Sequence, residues 1–339
     1  MKNLVHFKKE EILALTQMRK GETKIGQEIK CIQSIEELST LETPFVILAI
    51  KEDIGIRANF GKPGAANCFD YVLPALLNVQ ENRFLSAKQF ALLGYLDFPE
   101  YMSAAANLNP NVEADLDKLR ELTALIDLRV SALIQAIVSL NKVPIIIGGG
   151  HNNSYGIIKG CAAAKEKNID VLNIDPHADF RALEGRHSGN GFSYAQNEAL
   201  LGRYAVFALH ESYNNQQTLE TFRSSAELYY MSFDELLTFS TAERDRLFKD
   251  ALRWLGSGQI GFELDLDSIT RMPVSAYNAS GLSMRQARLL VKTAAALSKP
   301  YYFHLAEGSP DRVQSEQEKE LMGKAICYLI TDFIKSYGE

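Results

Sequence analysis

Short apolar runs rich in β-branched residues alternate along this chain with longer stretches of helical periodicity. Such runs stand at residues 45–50, 143–147, 169–174, 204–209, 258–266 and 300–305. Strands that are apolar throughout are typical of a parallel sheet buried on both faces, and the intervening helices supply the crossover connections that parallel strands require. The alternation therefore predicts an α/β fold of three layers, α-β-α, with a mainly parallel sheet.

Helical periodicity appears between these runs, with apolar residues recurring at spacings of three and four residues. It is clearest at residues 113–140, 284–298 and 315–336. Ser283 directly precedes the second of these stretches and is predicted to cap it. Two segments rich in glycine, 59–65 and 184–194, are predicted to be loops.

The chain has 339 residues, of which 46% are hydrophobic, and this is enough to bury a large core. The sequence has no internal repeat and no linker rich in proline or serine. We therefore predict a single domain over residues 1–339, in which residues 1–40 form an N-terminal elaboration.

The net charge and the cysteines indicate which kind of partner the protein binds and which cellular compartment it occupies. The formal net charge of -6 argues against a nucleic acid, because binding phosphates requires a surplus of basic residues. The dispersed cysteines form no CxxC pair, which is typical of reduced thiols. The N-terminus lacks the pattern of a signal peptide, and no apolar run approaches the roughly 20 residues that span a bilayer. We expect a cytoplasmic protein that binds a small molecule and no membrane.

Polar clusters follow several of the predicted strands, at the end where a parallel sheet places its binding sites. They read GGGHNNS after 143–147, DPHADFR after 169–174, DLD at the end of 258–266 and AEGSP after 300–305. Because the carboxyl ends of parallel strands lie along one edge of a sheet, we expect these clusters to meet in one place.

The DPHADFR segment carries Asp175, His177 and Asp179 at alternating positions. In extended backbone, alternate side chains point to the same side, so all three can face one ion. Taken alone, the segment is equally consistent with a polar turn capped by an aspartate. Asp265 and Asp267 favour the metal interpretation, because two carboxylates on one face of an apolar strand are costly to bury without a cationic partner.

His151 directly follows a run of three glycines and offers an imidazole ligand at another strand end, although a lone histidine there is more often a structural hydrogen bonder. The run lacks the GKS/GKT and GxGxxG patterns of a phosphate-binding loop.

A set of aspartates and histidines favours Mn²⁺, with Zn²⁺, Co²⁺ or Fe²⁺ as alternatives. It suits two ions that share carboxylates, a pair that holds a hydroxide at neutral pH. The predicted metal ligands are His151, Asp175, His177, Asp179, Asp265 and Asp267.

These motifs resemble, in order and approximate spacing, the metal motifs of the ureohydrolase superfamily, which includes arginase, agmatinase and formimidoylglutamase. The resemblance covers nearly the whole chain and implies an arginase/deacetylase-like fold with two Mn²⁺ per chain. By resemblance, one ion is bound by His151, Asp175, Asp179 and Asp265, and the other by His177, Asp175, Asp265 and Asp267. Asp175 and Asp265 would therefore bridge the two ions.

The resemblance also implies the chemistry. In this family a hydroxide attacks the carbon of a C(=N)–N group, and Asp179 corresponds to the aspartate that relays a proton to the leaving amine. Glu307, in a Glu-x-x-Pro motif, corresponds to the carboxylate that receives the cationic nitrogens of the substrate. Asp179 and Glu307 are therefore the predicted catalytic residues. Members of the family commonly assemble as trimers or hexamers, which implies a homo-oligomer.

Three positions depart from the family pattern. Gly150 stands where the family usually has an aspartate before its first histidine ligand, and DLDSITRMP lacks the last aspartate of DxDxxDP. Phe192 stands where arginases and agmatinases carry a proton-shuttling histidine. This third departure resembles formimidoylglutamases, whose loop reads SGT-x-F. DxHxDxR with Arg181, NFGKPGA at 59–65 and HESYNN at 210–215 also resemble that subfamily.

The subfamily resemblance predicts hydrolysis of N-formimidoyl-L-glutamate to glutamate and formamide, a step of histidine degradation. The formamidinium-like head of this substrate suits a carboxylate, and its own two carboxylates need cationic partners. The predicted substrate-binding residues are Arg181, Asn190 and Glu307. Further candidate cations, each more consistent with a surface charge, are Arg57, Lys62 and Arg186. His187 is interpreted as a loop histidine rather than a displaced proton carrier.

The alternatives are an arginase- or agmatinase-type hydrolase of guanidino compounds and a noncatalytic metal-binding member of the fold. Gly150 and Phe192 motivate the noncatalytic alternative, whereas the presence of every predicted ligand favours an enzyme. The related deacetylases use a single zinc ion and a tandem His-His that this sequence lacks. The sequence thus predicts a hydrolase of a linear amidine and leaves open the exact substrate, the native metal and the oligomeric state.

Overall fold

The computed structural model describes residues 1–338, and within them a ten-stranded sheet forms the middle layer of the protein. Its strands are β1 (Leu4–Val5), β2 (Lys30–Cys31), β3 (Phe45–Lys51), β4 (Phe90–Asp97), β5 (Val143–Ile147), β6 (Ile169–Ile174), β7 (Leu201–Leu209), β8 (Leu228–Ser232), β9 (Gly261–Asp265) and β10 (Tyr302–Ala306). Their order is β1-β4-β3-β5-β10-β9-β6-β7-β8, and β2 also pairs with β4. In the described part of the chain only β1 runs antiparallel to its neighbour, which confirms the mainly parallel sheet.

Every strand predicted from an apolar run is present in this sheet. The sequence did not predict β4, where Gly94 interrupts the apolar pattern. Gly94 has φ of 128°, and a Cβ there would lie 1.9 Å from the carbonyl oxygen of Val5 on the neighbouring strand. The sequence also missed β8, a short edge strand that is only partly buried, and the two-residue strands β1 and β2.

Helices pack against both faces of the sheet. Within the described residues they are α1 (Lys9–Ala14), α2 (Ile25–Glu28), α3 (Ile35–Ser39), α4 (Ile54–Arg57), α5 (Cys68–Leu77), α6 (Pro99–Ala105), α7 (Glu113–Ser139), α8 (Asn153–Lys165), α9 (Gly191–Asn197), α10 (Gln216–Ser224), α11 (Phe233–Thr238), α12 (Thr241–Leu255), α13 (Met284–Ser298) and α14 (Glu316–Ser336). The three predicted helices are α7, α13 and α14. Ser283 caps α13 as predicted, since its Oγ accepts the amide of Gln286 while the Gln286 side chain accepts the amide of Ser283.

The prediction of a loop over residues 184–194 is wrong for its second half. Residues 188–190 form a 3₁₀ turn, and α9 begins directly after it. The His187 ring accepts the amide of Gly189 at 3.1 Å, and this side-chain cap starts the turn although glycine itself disfavours helix.

Alternate side chains of the central strands fill two cores, one on each face of the sheet. On β3, Phe45 and Ile47 belong to one core, and Val46 and Leu48 belong to the other. The first core is covered by α5, α12, α13 and α14, and the second by α7, α8 and α10. This arrangement confirms the predicted three-layer α-β-α fold.

Residues 1–40 extend the sheet at one side. Both β1 and β2 pair with β4, on the edge that β3 leaves free. The single domain over residues 1–339, with this segment as an elaboration, stays a prediction.

Helix α7 is the one described helix that is long and apolar enough to cross a membrane by length and composition alone. Half of its most apolar window is buried inside the protein. Its buried residues recur at helical spacing, and among them Asp127 pairs with Arg186 at 2.9 Å. These contacts are those of a core helix, and core helices pass the same test of length and composition.

The contact between α7 and α8 depends on glycine at position 160. A Cβ at Gly160 would lie 2.4 Å from the carbonyl oxygen of Ser131 and 2.9 Å from the amide nitrogen of Gln135, and backbone atoms cannot move aside cheaply. We expect Gly160→Ala to lower the free energy of unfolding by about 1–3 kcal/mol, the usual range for overpacking. Thermal unfolding measures this loss of stability. Ala163→Ser, on the exposed side of α8, is the control. An unchanged melting temperature for Gly160→Ala would contradict the close contact.

Candidate metal centre and active site

Four neighbouring strands bring the predicted polar clusters together. In the sheet, β5, β10, β9 and β6 lie side by side in that order. His151 follows β5, Asp175 follows β6, Asp265 ends β9 and Glu307 follows β10. Because all four strands are parallel, these side chains lie at the same edge of the sheet, as the sequence predicted.

A first cluster of carboxylates surrounds one nitrogen of His151. Nδ1 lies 2.9 Å from Oδ2 of Asp179, and 3.1 Å from Oδ2 of both Asp175 and Asp265. One ligand atom from each of these four residues lies within 4.8 Å of the others. This spacing lets the four atoms surround a single cation.

A second cluster lies beside it and shares Asp175. Nδ1 of His177 lies 3.4 Å from Oδ1 of Asp175 and 3.9 Å from Oδ2 of Asp267. Asp175 therefore presents Oδ2 to the first cluster and Oδ1 to the second. Asp265 presents Oδ2 to the first cluster, while its Oδ1 accepts the amide of Asp267 at 2.7 Å.

The electrostatics of the two clusters indicate that cations belong there. Burial and the neighbouring Asp175 raise the pKa of Asp265 to about 7, and burial and Asp265 raise the pKa of Asp267 well above its ordinary value. Against the effect of burial, Asp175 raises the pKa of His177 to about 9. Both ring nitrogens of His151 and Oδ1 of Asp267 are buried without a hydrogen-bond partner among the described residues.

Crowded carboxylates and unpartnered buried nitrogens are what a divalent cation stabilises. The donor set, carboxylate oxygens with imidazole nitrogens, is hard enough for Mn²⁺. The described residues therefore fit a metal site.

Glu307 lies at the floor of the same site. Its Oε1 accepts the amide of His151 at 2.7 Å, and its Oε2 accepts the hydroxyl of Ser275. Burial and the nearby Asp265 raise the pKa of Glu307 to about 8. Glu307 and Asp179 both have left-handed backbone, with φ of 68° and 46°. Strain of this kind costs about 1–3 kcal/mol per residue and is concentrated at active sites.

A cavity of about 420 Å³ opens onto both clusters. Its floor includes His177, Asp179, Asp265, Asp267 and Glu307. Its walls and rim include Ile56, Asn59, Phe60, Arg181, Ser188, Gly189, Tyr213, Asn214 and Asn215. The described lining therefore combines four carboxylates, which are buried or nearly so, with one arginine whose side chain is half exposed.

Of the predicted cationic contacts, only Arg181 lines the cavity among the described residues. Its Nη1 donates to Oδ1 of Asn59 at 3.2 Å, and its Nη2 lies 3.3 Å from Glu184. Arg57 donates instead to the carbonyl of Leu108 at 2.8 Å. Lys62 is exposed outside the cavity.

Arg186 is buried in structural contacts. It pairs with Asp127 and donates to the carbonyl of Asn152 at 2.8 Å, and its guanidinium lies over the rings of Tyr155 and Tyr194 at 4.7 and 4.9 Å. It is therefore neither a surface charge nor a cavity residue.

Asn190 lies outside the described cavity lining, although it was predicted to bind substrate. It is fully buried, its Oδ1 accepts from Arg186, and its Nδ2 donates to the carbonyls of Ala182 and Gly185. These bonds use the amide to hold the loop that precedes α9, and substrate binding by Asn190 stays a prediction.

The two unusual residues of this loop are also accounted for. His187 is buried and contacts Glu184, and burial lowers its pKa to about 4, so it is a neutral loop histidine as interpreted. Phe192 is buried against the edge of the His151 ring, with ring centroids 5.4 Å apart, and stacks on Tyr204 at 4.3 Å. A buried apolar ring thus stands where the sequence resemblance would place a shuttle histidine.

Sequence reasoning missed Glu52, which organises the backbone around His151. This fully buried carboxylate follows β3 and accepts the amide of Gly150 and the side-chain amides of Asn152 and Asn153, at 3.3, 3.1 and 2.6 Å. Its other oxygen accepts the amide of Ile54 at 2.9 Å. The signal was weak, because an acidic residue after an apolar strand is common.

Two asparagines hold the DPHADFR segment in place. Asn173 donates to Oδ2 of Asp175 at 3.0 Å. Asn214 accepts the amide of Ala178 at 2.9 Å and donates to the carbonyl of Pro176 at 3.0 Å. Asn173 alternates with Asp175 along β6, so its position on the same face could have been read from the sequence.

Residues 74–331 match the arginase family model. The chain belongs to the arginase family. It is 25% identical over 298 residues to a formimidoylglutamase of Streptococcus pyogenes serotype M3, a match that covers 85% of this chain and 84% of that protein. The family match at residues 74–331 spans the candidate site, so the family relationship and the side-chain geometry concern the same part of the chain.

Solved structures of the family share this fold. The formimidoylglutamase from Bacillus subtilis superimposes with a TM-score of 0.73 and 16% identity, covering 94% of this chain and 93% of that chain. The Trypanosoma cruzi formiminoglutamase with Mn²⁺ gives 0.70 and 20%, covering 93% and 98%. The agmatine ureohydrolase of Thermoplasma volcanium gives 0.67 and 18%, covering 96% and 97%. The three-layer fold is therefore that of the arginase superfamily.

Proposed function

We propose that this chain is a binuclear manganese hydrolase that converts N-formimidoyl-L-glutamate and water to glutamate and formamide. The observation that carries the proposal is the division of Asp175 between two ligand clusters, one oxygen to each, beneath a cavity with an arginine at its rim. The matched relatives named formimidoylglutamase support the choice of substrate.

In this proposal the six predicted ligands hold two ions. The first cluster, with His151 and Asp179, would bind one ion, and the second, with His177 and Asp267, would bind the other, with Asp175 and Asp265 shared. A bound pair of manganese ions supplies Lewis-acid activation of water at neutral pH. Residues of both clusters line the cavity, so a substrate bound there would lie next to the ions.

Glu307 and Asp179 act on the two ends of the scissile amidine. Glu307 faces the cavity and offers a carboxylate to the cationic nitrogens of the amidinium, which fixes the carbon above the clusters. Asp179 lines the cavity and belongs to the first cluster, where it would take a proton from the attacking water and deliver it to the nitrogen that leaves with glutamate. The C–N bond to glutamate breaks, and the oxygen of water remains in formamide.

Arg181 binds a carboxylate of the glutamate moiety. Its side chain is half exposed at the rim and already donates to Asn59, whose Nδ2 donates to Oγ of Ser188 at 3.2 Å. These three polar side chains are joined by hydrogen bonds, and all three line the cavity. The rim thus offers donors to an acid, while the floor offers acceptors to an amidinium.

Replacing Arg181 by glutamine tests this assignment. We expect the KM for N-formimidoyl-L-glutamate to rise about 10-fold, the lower end for a charge-assisted hydrogen bond because the side chain is solvent-screened. Manganese content and kcat are expected to change little. Lys62→Gln, an exposed cation outside the cavity, is the matched control. An unchanged KM in Arg181→Gln would remove this residue from substrate binding.

A substrate panel tests the proposed reaction. The manganese-loaded chain is incubated with N-formimidoyl-L-glutamate, arginine, agmatine and guanidino acids, and formamide and urea are measured. Formamide released from the first compound is the expected result. Urea released from a guanidino compound, with no formamide from the first, would assign a guanidino hydrolase instead. No turnover of any compound by a chain that binds manganese would indicate a noncatalytic member of the family.

The proposal includes the cellular setting. We place the enzyme in the cytoplasm, in histidine degradation, as a single-domain subunit of a trimer or hexamer, because the sequence resembles enzymes of that kind. Light scattering of the purified chain measures the assembly directly.

A further inference from the structure

His151 lies between two sets of carboxylates. Its Nδ1 faces the first cluster, and its Nε2 lies 3.5 Å from Oε2 of Glu263 on the opposite side. Glu263 is on β9, two residues before Asp265, and is fully buried. Because side chains alternate along a strand, Glu263 and Asp265 point to the same face, where they contact opposite nitrogens of the same ring.

His304 holds Glu263 from the neighbouring strand. The two residues are register partners on β10 and β9, and Nδ1 of His304 lies 2.6 Å from Oε2 of Glu263. The other ring nitrogen of His304 lies 3.4 Å from the carbonyl oxygen of Gly148. Oε2 of Glu263 therefore sits between two imidazoles in a region closed to solvent, since His304 is also fully buried.

Position 150 cannot provide this support. A Cβ on Gly150 would lie 2.4 Å from Oδ1 of Asn152 and 2.7 Å from Cγ1 of Ile56, so a side chain does not fit without displacing both. The edge of the His151 ring meets Phe192, which offers no acceptor. Glu263 is thus the carboxylate left to accept a proton from Nε2.

We propose that Glu263, held by His304, positions His151 so that the lone pair of Nδ1 points into the first cluster and thereby sets the manganese affinity of that cluster. This inference rests on the proposed metal centre. Nε2 makes no hydrogen bond among the described residues but lies 3.5 Å from Oε2 of Glu263, so a cation at Nδ1 would leave the ring proton on Nε2, facing this carboxylate. The ring would then have one tautomer and one orientation, as in the carboxylate–histidine–metal arrangement of many metalloproteins. The pair takes the place of support from position 150.

Manganese titration of the metal-free chain, followed by calorimetry and by the EPR spectrum of Mn²⁺, tests the proposal. For Glu263→Gln we expect one of the two ions to bind about 10- to 100-fold more weakly, the usual effect of losing such a partner, while the ion at His177 and Asp267 binds as before. The EPR spectrum then changes from that of a coupled pair to that of a single ion.

A second variant and a matched control separate positioning from loss of fold. His304→Asn leaves Glu263 in place and is expected to weaken the same ion, and the double variant is expected to bind no worse than Glu263→Gln, because both act through one path. Asp332→Asn removes a buried carboxylate paired with Arg288 at 2.5 Å, distant from the clusters, and is expected to change stability but not manganese affinity.

Wild-type affinity for both ions in Glu263→Gln, or in His304→Asn if the first variant does not fold, would overturn the positioning role. Failure of the wild-type chain to bind manganese would instead overturn the proposed function. The two failures are therefore distinguishable in one titration series.

Discussion

Replacing Asp175 by asparagine is expected to remove both metal ions and to lower kcat/KM about 1000-fold or more. Asp175 is the residue whose two oxygens contact different clusters, with Oδ2 near His151 and Oδ1 near His177. Asparagine has one acceptor oxygen and no charge, so it cannot serve both ions. A 1000-fold loss corresponds to ~4 kcal/mol of transition-state stabilisation, which is in the range that a metal pair supplies.

Asp170→Asn is the matched control for this substitution. Asp170 is on the same strand, and its Oδ1 accepts the amide of Arg203 at 2.7 Å, outside the clusters. The control is expected to retain manganese and activity. An Asp175→Asn protein that keeps both ions would contradict the shared-ligand geometry.

Glu307→Gln is expected to lower kcat/KM for N-formimidoyl-L-glutamate about 100-fold or more while leaving manganese content unchanged. The glutamine oxygen can still accept the amide of His151, and its NH2 group can donate to Oγ of Ser275 once that hydroxyl rotates, so the local fold is preserved. What is lost is the buried negative charge opposite the amidinium, and removing one partner of such a pair costs about 2–5 kcal/mol.

Steady-state kinetics with metal analysis of the same sample measure this second effect. Glu316→Gln, an exposed glutamate paired with Lys319, is the control and is expected to behave as wild type. Wild-type kcat/KM in Glu307→Gln would exclude Glu307 from substrate binding.

The strands that are buried on both faces could be predicted from the sequence. The runs at 45–50 and 143–147 are apolar on both faces because the sheet is covered on both sides, and that composition identifies a central strand by itself. β4 is equally buried, but Gly94 breaks its pattern to admit the backbone of Val5. Glycine is needed at position 94 because of Val5, which is distant in sequence, so this need could not be anticipated.

In the candidate site, too, local spacing predicted some residues, whereas the contacts of others depend on partners distant in the chain. Asp265 and Asp267 were found through their alternation in an apolar strand, and Glu263 continues that alternation by one more step, so it too could have been assigned to the same face. Its contact with His151, 112 positions earlier in the chain, could not be derived from spacing. Glu52 shares this property, because its partners at 150–153 are distant in the chain.

Asn190 was assigned from a family motif, and the motif did not indicate the contacts that this residue makes in the fold. The surrounding loop resembles family motifs, and Arg186, a buried arginine of the same loop, donates a hydrogen bond to the side chain of Asn190. This contribution to the loop could not be read from the motif, because it depends on Arg186, which Asp127 holds from a distant helix.

The central claim is most directly tested by titrating the metal-free chain with Mn²⁺ while formamide release from N-formimidoyl-L-glutamate is followed. The proposed centre predicts that formamide release rises with added metal and reaches its plateau at two bound ions per chain. Formamide release that is independent of manganese, or a plateau reached with no metal bound, would contradict it.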